Sequence, residues 1–271
     1  MIELLKSILI GIIQGITEWL PVSSTGHMIL LDELLNLDVT PEFKEMFFVV
    51  IQLGSILAVL TLYFHKLNPF SRKKSEGERK QTWVLWLRVL IAAIPAAILG
   101  LLLDDWFDEH FYNYVVVAIA LVVYGVAFLL VERRNRDRSF RVSSVYDIDA
   151  KTALGIGAFQ CLSLIPGTSR SGSTILGSTL IGVSREAAAE FSFFLAIPVM
   201  LGASALKLLK FGFAFSGAEI GILIAGVLTA FLVSVVAIRF LMGFVRTHTF
   251  APFGWYRILL GIVVLLRFAL M

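Results

Sequence analysis

Long apolar stretches separated by short polar loops run along most of the chain. Six of these stretches approach the length that crosses a bilayer as a helix, which is about 20 residues. They lie at residues 43–63, 84–103, 112–131, 186–207, 218–238 and 251–270. Because backbone polar groups cannot stay unpaired in lipid, such stretches are expected to be helical. The pattern therefore predicts an all-α polytopic membrane protein with six transmembrane helices.

Two further apolar regions are interrupted by polar turns. The helical pattern of residues 2–20 halts at Pro21, and a second short helix is predicted at about 26–36. The same arrangement returns as helices at 151–165 and 169–182, on either side of Pro166 and Gly167. None of these pieces spans a bilayer comfortably. Each pair is predicted to form a re-entrant helical hairpin, surrounded by protein or by a watery cavity.

The order of these elements repeats along the chain. A hairpin followed by three spans occupies about residues 1–131, and a second set occupies about 150–271, with Gly11-x-x-Gln14 matched by Gly157-x-x-Gln160. Because three is an odd number, the second copy must enter the bilayer from the opposite face. The pattern predicts an inverted-topology repeat within one membrane domain, 1–271, with a binding site near the midplane.

Composition supports a membrane protein and argues against a nucleic-acid partner. Of 271 residues, 58% are hydrophobic and only 16% are charged, against about 25% charged in soluble domains. The net charge of +3 is too small to indicate nucleic-acid binding. The single cysteine, Cys161, excludes an intramolecular disulfide.

Charged loops predict the orientation. Basic residues concentrate in the loops 64–82 and 132–151, whereas the loops on the other side are mainly acidic, with Asp32, Glu33, Asp38, Glu42, Asp104, Asp105, Asp108 and Glu109. The positive-inside rule then places both termini outside the cytoplasm. The first hairpin is predicted to open outward, and the second to enter from the cytoplasm.

The first interrupted segment carries a carboxylate at membrane depth. Gln14 and Glu18 are four residues apart and share a helix face. A carboxylate in this position can be a metal ligand, a general base or the partner of a cation such as Arg170. The sequence leaves these three roles open.

Small hydroxyl residues follow at the start of the second short helix. Ser23, Ser24 and Thr25 precede Gly26 and His27. Hydroxyls and unpaired backbone N–H groups at a helix start favour an anion, and Ser24 lies within reach of His27 as a base-activated nucleophile. The simpler alternative is that the hydroxyls only cap the helix.

The second interrupted segment resembles another anion site. Residues 168–172 read Thr-Ser-Arg-Ser-Gly, and the planar guanidinium of Arg170 suits phosphate oxygens. The alternative is that Arg170 is a structural counter-ion. We predict that the two segments meet at one site, which binds and hydrolyses a phosphate group.

The segments 14–18 (QGITE), 21–27 (PVSSTGH) and 166–172 (PGTSRSG) together resemble the undecaprenyl-diphosphate phosphatases, the bacitracin-resistance family. The resemblance implies a multi-pass enzyme of the bacterial plasma membrane that removes the terminal phosphate from undecaprenyl diphosphate. The product, undecaprenyl phosphate, is the lipid carrier for cell-wall building blocks. The family also implies a divalent cation, Mg²⁺ or Ca²⁺, and an active site opening to the extracytoplasmic side.

By position, the resemblance implies that Ser24 is the candidate nucleophile and Arg170 the phosphate clamp. Glu18 would act as base or, with Gln14, hold the metal, and His27 would assist proton transfer or rank second as nucleophile. The family accepts Glu or Gln at the first position, so in this chain only Glu18 supplies charge. Substrate-binding roles are expected for Ser23, Thr25, Gly26, Ser169, Ser171, Gly172 and Thr174.

The main alternative is a secondary transporter or flippase for an anionic or lipid-phosphate substrate, since inverted repeats with broken helices are typical of transporters. A non-catalytic membrane scaffold is a second alternative. The dense set of reactive side chains favours the hydrolase. The expected partners are a polyprenyl diphosphate, membrane lipids and a possible homodimer.

Overall fold

The computed structural model describes residues 1–111, 113–212 and 214–269. The side chains of Thr25, Ile29, Asp32, Glu33, Asp104, Asp105, Asp108 and Ala269 lie outside the described part, so the predictions that rest on them stay predictions. Over the described residues the fold is all-helical, with α1 (Ile2–Thr17), α2 (Ser24–Leu35), α3 (Pro41–Val50), α4 (Gln52–Leu62), α5 (Phe64–Leu67), α6 (Glu76–Phe111), α7 (Tyr114–Arg134), α8 (Ala150–Cys161), α9 (Arg170–Leu180), α10 (Arg185–Phe211), α11 (Gly217–Val245) and α12 (Ala251–Ala269).

Within the described ranges, six helices are long and apolar enough to cross a membrane, which confirms the predicted spans. They are Pro41–Leu62, Glu76–Leu103, Tyr114–Arg134, Arg185–Phe211, Gly217–Val245 and Ala251–Phe268. The first is interrupted at Ile51, between α3 and α4, which the apolar sequence did not indicate.

Helix α6 is longer than the predicted span 84–103, because it begins in the polar loop. Glu78 N donates to Ser75 Oγ (3.3 Å), and the Glu78 carboxylate accepts from Ser75 N (2.7 Å). This reciprocal pair of bonds is a capping box, which starts a helix at polar residues without help from hydrophobic burial. The helix therefore starts at Glu76 rather than at the first apolar residue.

The four short helices of the interrupted segments form two pairs, each of which turns back on itself. In the first pair, Lys6 Nζ near the start of α1 donates to Asn36 O just after α2, at 2.8 Å. In the second pair, Arg141 N donates to Gly182 O after α9 (2.9 Å), and Arg141 Nη2 donates to Thr152 Oγ1 in α8 (2.9 Å). The outer ends of each pair thus lie together, and the turn lies at the other end.

Helices of the first half pack closely against helices of the second half. Helix α1 packs on α11, α8 packs on α6, and α7 packs on α12. Glycines allow two of these crossings: a Cβ at Gly15 would lie 2.9 Å from Ala230 O, and one at Gly157 would lie 2.4 Å from Ala92 O. Small residues permit such close backbone approach between membrane helices. These crossings fix the two turns inside the helix bundle.

Ion pairs fix the first two turns of α10 to three other helices. They join α10 to α5, α7 and α11 through Lys66–Glu190 (2.7 Å), Arg185–Glu132 (2.5 Å) and Arg246–Glu186 (3.0 Å). Glu132 also accepts from Phe250 N, just before α12 (2.9 Å). These contacts bring the ends of several helices to one end of the bundle, beside the two basic loops.

Candidate active site

Each interrupted segment restarts as a helix at a serine in an unusual backbone conformation. Ser23 precedes α2 with φ of 73°, and Ser169 precedes α9 with φ of 70°. Ser23 Oγ accepts from Gly26 N (3.3 Å), and Ser169 Oγ accepts from Gly172 N (3.1 Å). Left-handed backbone is disfavoured for residues with a Cβ, so both serines cap a helix at the expense of local strain.

This geometry predicts an unusual order of stability for substitutions at Ser23 and Ser169. Alanine removes the cap and keeps the strain, whereas glycine removes the cap and relieves the strain. We therefore expect each Ser→Ala variant to be about 1 kcal/mol less stable than the Ser→Gly variant. Thermal unfolding of the purified variants in detergent measures this difference. Equal stability of the Ala and Gly variants would contradict the left-handed backbone.

The two turns touch each other directly. Ser171 Oγ at the start of α9 donates to Leu20 O in the first turn, at 3.2 Å. Arg170 Nη2 donates to Glu18 Oε1 at 3.1 Å. The prediction that the two segments meet is therefore confirmed, and the contact brings together side chains about 150 residues apart in the chain.

The Glu18 carboxylate is held by nitrogen donors on both of its oxygens. Gln14 Nε2 donates to Glu18 Oε2 (3.0 Å), while Arg170 Nη2 occupies Oε1. The side chains of the ion pair are only 5% (Glu18) and 10% (Arg170) exposed. Arg170 Nη1 donates to Ser192 O in α10 (2.8 Å). Of the three roles left open for Glu18, this structure displays the partner of a cation.

Buried donors without a partner lie beside this ion pair. Arg170 Nε and Trp19 Nε1 make no hydrogen bond with the described residues, although both atoms are buried. The guanidinium carbon of Arg170 lies 5.9 Å from the centre of the Trp19 ring. Because buried polar groups are normally satisfied, unpaired donors next to a cation favour an acceptor such as a phosphate oxygen or a water. The site is thus suited to an anion.

The described residues do not form a resident metal site. No three His, Cys, Asp or Glu side chains among them come close enough together to hold a metal ion. The expected ligands Gln14 and Glu18 present an amide nitrogen and a carboxylate already bonded through both oxygens. A hard divalent cation needs about six oxygen ligands, so these two residues do not fit a preformed site, and their metal role stays a prediction for the substrate-bound protein.

The predicted contact between Ser24 and His27 is not formed. His27 Nδ1 lies 2.7 Å from Ser23 O, and His27 Nε2 lies 2.6 Å from the hydroxyl of Tyr256 in α12. A carbonyl only accepts, so Nδ1 carries the proton and Nε2 accepts from Tyr256. Ser24 Oγ has no hydrogen-bond partner among the described residues, and its side chain is only partly buried. The Ser24 hydroxyl is therefore available to a ligand, whereas His27 is oriented by Tyr256.

Removing the Tyr256 hydroxyl tests this orientation. Tyr256→Phe keeps the ring that stacks on His27, with centroids 5.6 Å apart, and removes only the hydrogen bond to Nε2. The expected loss of turnover is up to about tenfold, as for one hydrogen bond of about 1 kcal/mol. The pH dependence of turnover should shift as well, because the tautomer of His27 is no longer fixed. An unchanged rate and pH profile would separate His27 from the reaction.

The remaining predicted residues mostly support the turns. Thr174 Oγ1 lies 2.7 Å from Ser192 Oγ, the same residue that binds Arg170. The backbone N–H groups of Gly26 and Gly172 donate to the capping serines in this structure, and the substrate-binding role of both glycines stays a prediction. The side chain of Thr25 lies outside the described residues.

Sequence reasoning missed a fully buried arginine at the junction of the two turns. Arg257 in α12 is 0% exposed. Its Nη2 donates to Gly167 O (2.8 Å) and Thr168 O (3.0 Å), and its Nη1 donates to Pro21 O (3.2 Å). The available signal was an arginine inside a predicted span, which is a functional candidate by default.

The comparison with known families decides the relationship. The family model described as "Bacitracin resistance protein BacA" matches residues 7–263. The chain belongs to the BacA family. The resemblance drawn from the three short segments is thereby confirmed over most of the chain.

Individual bacterial proteins are similar to this chain over almost their whole length. An Enterococcus faecalis protein named undecaprenyl-diphosphatase is 57% identical over 266 residues, which is 97% of this chain and 96% of that protein. An Acetivibrio thermocellus undecaprenyl-diphosphatase is 57% identical over 99% of this chain and 98% of its own. The Clostridioides difficile undecaprenyl-diphosphatase 1 is 56% identical over 100% and 98%, respectively.

Proposed function

We propose that this membrane protein is an undecaprenyl-diphosphatase, which hydrolyses undecaprenyl diphosphate to undecaprenyl phosphate and inorganic phosphate. The observation that carries the proposal is the buried contact between two polar turns, with the Glu18–Arg170 pair and the unbonded Ser24 hydroxyl beside it. The names of relatives at 51–58% identity support it. By the same likeness, the product is the recycled lipid carrier of the cell wall, and the activity underlies bacitracin resistance in the bacterial plasma membrane.

The chemistry needs charge neutralisation and positioning more than elaborate covalent machinery. In the proposed reaction, the Arg170 guanidinium binds oxygens of the terminal phosphate, and its buried Nε supplies an unused donor. Ser24 Oγ attacks the terminal phosphorus. The new bond joins that oxygen to phosphorus, and the bond to the bridging oxygen breaks, which releases undecaprenyl phosphate. Water then hydrolyses the phosphoseryl group and restores the Ser24 hydroxyl.

Two bases near the turns are candidates for the proton that leaves Ser24. Glu18 becomes a free base when Arg170 moves its bonds from the carboxylate to phosphate, and His27 already has its tautomer set by Ser23 and Tyr256. Direct attack by water and attack by His27 are the alternatives to Ser24. They are separated by trapping of a covalent intermediate.

A divalent cation is proposed to enter with the substrate, bound to the diphosphate oxygens. The donor set supports this form, since the one carboxylate at the turns cannot hold the ion alone. We expect chelation to abolish phosphate release, and titration calorimetry to detect Mg²⁺ binding only when a prenyl diphosphate analogue is present. Tight Mg²⁺ binding to the protein alone would contradict this proposal and favour a resident site at Gln14 and Glu18.

The finer architecture is proposed to be an inverted repeat with two re-entrant hairpins. The same spacing separates Gln14 from Gln160, Ser23 from Ser169 and Gly26 from Gly172, and both serines have a positive φ, of 73° and 70°. The packing of α1 on α11 corresponds to that of α8 on α6. We take residues 1–131 and 150–271 as the two copies of one domain.

Both termini and the opening of the active site are proposed to face away from the cytoplasm. The basic loops 64–82 and 132–151 support this orientation, and ion pairs of Lys66 and Glu132 bring their neighbouring helix ends to the same end of the bundle. Labelling of single cysteines placed in these loops, in intact cells and in open membrane vesicles, tests the orientation. A homodimer stays a prediction.

Purified full-length protein in detergent tests the proposed activity directly. We expect release of inorganic phosphate from undecaprenyl diphosphate with Mg²⁺, and almost none from a Ser24→Ala, Arg170→Ala double variant. An absence of release by the wild-type protein would contradict the proposal. The alternative of a transporter gains no support from the relatives reported above, which are named for hydrolysis.

A further inference from the structure

Arg257 is a buried arginine at the turns that the proposed reaction does not use. It lies in the second turn of α12, where its neighbours Trp255 and Tyr256 are 63% and 44% exposed while its own side chain is fully buried. Among the described side chains, no carboxylate forms an ion pair with it. Burying a guanidinium without an anion costs free energy of folding unless strong hydrogen bonds compensate for the lost hydration. The hydrogen bonds of Arg257 therefore indicate its role.

These bonds connect the two turns. Nη1 donates to Pro21 O in the first turn, and Nη2 donates to Gly167 O and Thr168 O in the second turn. Among the hydrogen bonds of the described residues, these three carbonyls accept only from Arg257. Irregular backbone at membrane depth needs such partners, since lipid supplies none. One planar fork therefore satisfies carbonyls on both sides of the junction.

Neighbouring groups hold this fork in place. The guanidinium lies 5.2 Å from the centre of the Tyr124 ring, and the Tyr124 hydroxyl accepts from Ser173 Oγ in α9 (3.1 Å). A Cβ at Gly172 would lie 3.0 Å from Arg257 Nη1, so glycine leaves the space that the fork occupies at the start of α9. Arg257 Nε is buried and makes no hydrogen bond with the described residues. Both terminal nitrogens, in contrast, are committed to backbone carbonyls of the two turns.

We propose that Arg257 is a positioning residue, which holds the first turn against the second so that Ser24 and Arg170 face one phosphate. This inference rests on the proposed function. The positioning role requires the planar guanidinium of Arg257 and not only its positive charge. A lysine ammonium is a single point charge, which does not reach carbonyls on both turns with the same geometry.

Steady-state kinetics of full-length variants test this role. We expect Arg257→Lys and Arg257→Met both to lower kcat, by about 10–100-fold, since a small displacement of reacting groups has effects of this size. KM should change by less than about threefold, because direct contacts to substrate are retained. Arg267→Lys is the matched control on the same helix, about 15 Å further along, and should keep the wild-type kcat.

Two outcomes with the single variants would overturn the inference. Wild-type kcat in Arg257→Lys would mean that charge alone suffices, and a raised KM with unchanged kcat would mean that Arg257 binds substrate directly. If Arg257→Met fails to give a folded, monodisperse protein, kcat is compared between Arg257→Lys and Arg257→Gln instead.

A double variant tests whether Arg257 and Arg170 act together. In the Arg170→Lys, Arg257→Lys double variant, kcat should fall by less than the product of the two single-variant losses, because both residues act on the same arrangement of the two turns. Strictly multiplicative losses would also overturn the inference.

Hydrogen–deuterium exchange measures the junction without reference to catalysis. Ser171 Oγ donates to Leu20 O at 3.2 Å across the two turns, and both residues are buried. The backbone amides within residues 20–23 and 167–172 should exchange several-fold faster in Arg257→Lys than in the wild-type protein, whereas the amides of residues 205–211 should keep their wild-type rates. Equal rates would overturn the inference. If the wild-type protein released no phosphate, the proposed function would fail, and this comparison would still judge the positioning role of Arg257.

Discussion

Replacing Arg170 by alanine is expected to lower kcat by about 10³–10⁵-fold, the range found when an arginine that stabilises a transferred phosphoryl group is removed. The variant loses the guanidinium that faces the junction and leaves Glu18 buried without its cation. Arg170→Lys should recover only a small part of the activity, because the ammonium lacks the planar fork. Phosphate release from undecaprenyl diphosphate, measured as initial rates at saturating substrate, gives the comparison.

Arg185 provides the matched control for Arg170. It also forms an ion pair, with Glu132 at 2.5 Å, but that pair is only partly buried and joins α7 to α10 away from the two turns. Arg185→Ala should lower the unfolding temperature while kcat stays within about tenfold of wild type, since breaking such a pair costs stability rather than chemistry. Comparable kcat losses in the Arg170 and Arg185 variants would mean that both arginines act only through the fold.

Replacing Ser24 by alanine is expected to lower kcat by about 10⁴–10⁶-fold if its hydroxyl is the nucleophile, as for other enzymes that form a covalent intermediate. Ser24 begins α2, and its Oγ has no hydrogen-bond partner among the described residues. Its neighbour Ser23 is committed to capping Gly26 N. Single-turnover phosphate release measures the loss, and acid quenching of the wild-type reaction with labelled diphosphate should trap phosphoserine at Ser24.

Ser204 provides the control for a serine in a span. Its hydroxyl in α10 donates to Val49 O in α3 (3.3 Å), and both residues are far in sequence from the two turns. Ser204→Ala should therefore keep the wild-type kcat. A loss below about tenfold in Ser24→Ala would be a hydrogen-bond effect only. In that case water or His27 would replace Ser24 as the nucleophile, and a label trapped on histidine would distinguish between them.

Hydropathy predicted most of the fold because lipid imposes strict rules on length and backbone pairing. Pro21 and Pro166 marked the interruptions, since proline cannot continue a helix. The start of α6 was missed because its capping box at Ser75 and Glu78 begins the helix in a polar loop. The interruption at Ile51 has no signal in an apolar sequence, because periodicity does not register one irregular residue.

The sequence predicted the site residues that lie within local motifs, but not the contacts that those residues make with distant parts of the chain. Glu18 and Arg170 were recognised because ionisable groups at membrane depth are rare, and their pairing stood among the open alternatives. Helix spacing placed Ser24 within reach of His27, but the structure pairs His27 with Tyr256, more than 200 residues away, so the catalytic role of the Ser24–His27 pair stays a prediction. Arg257 was overlooked although an arginine inside a predicted span is a signal in itself, whereas its contacts with both turns are not encoded by sequence spacing.

The central claim is that both turns form one phosphate site, and a structure with a bound non-hydrolysable prenyl diphosphonate tests it most directly. The account predicts that the terminal phosphonate lies between Ser24 Oγ and the Arg170 guanidinium, with groups from both turns in contact with it. A diphosphonate bound to one turn only, or bound elsewhere while the Glu18–Arg170 pair stays intact, would contradict it.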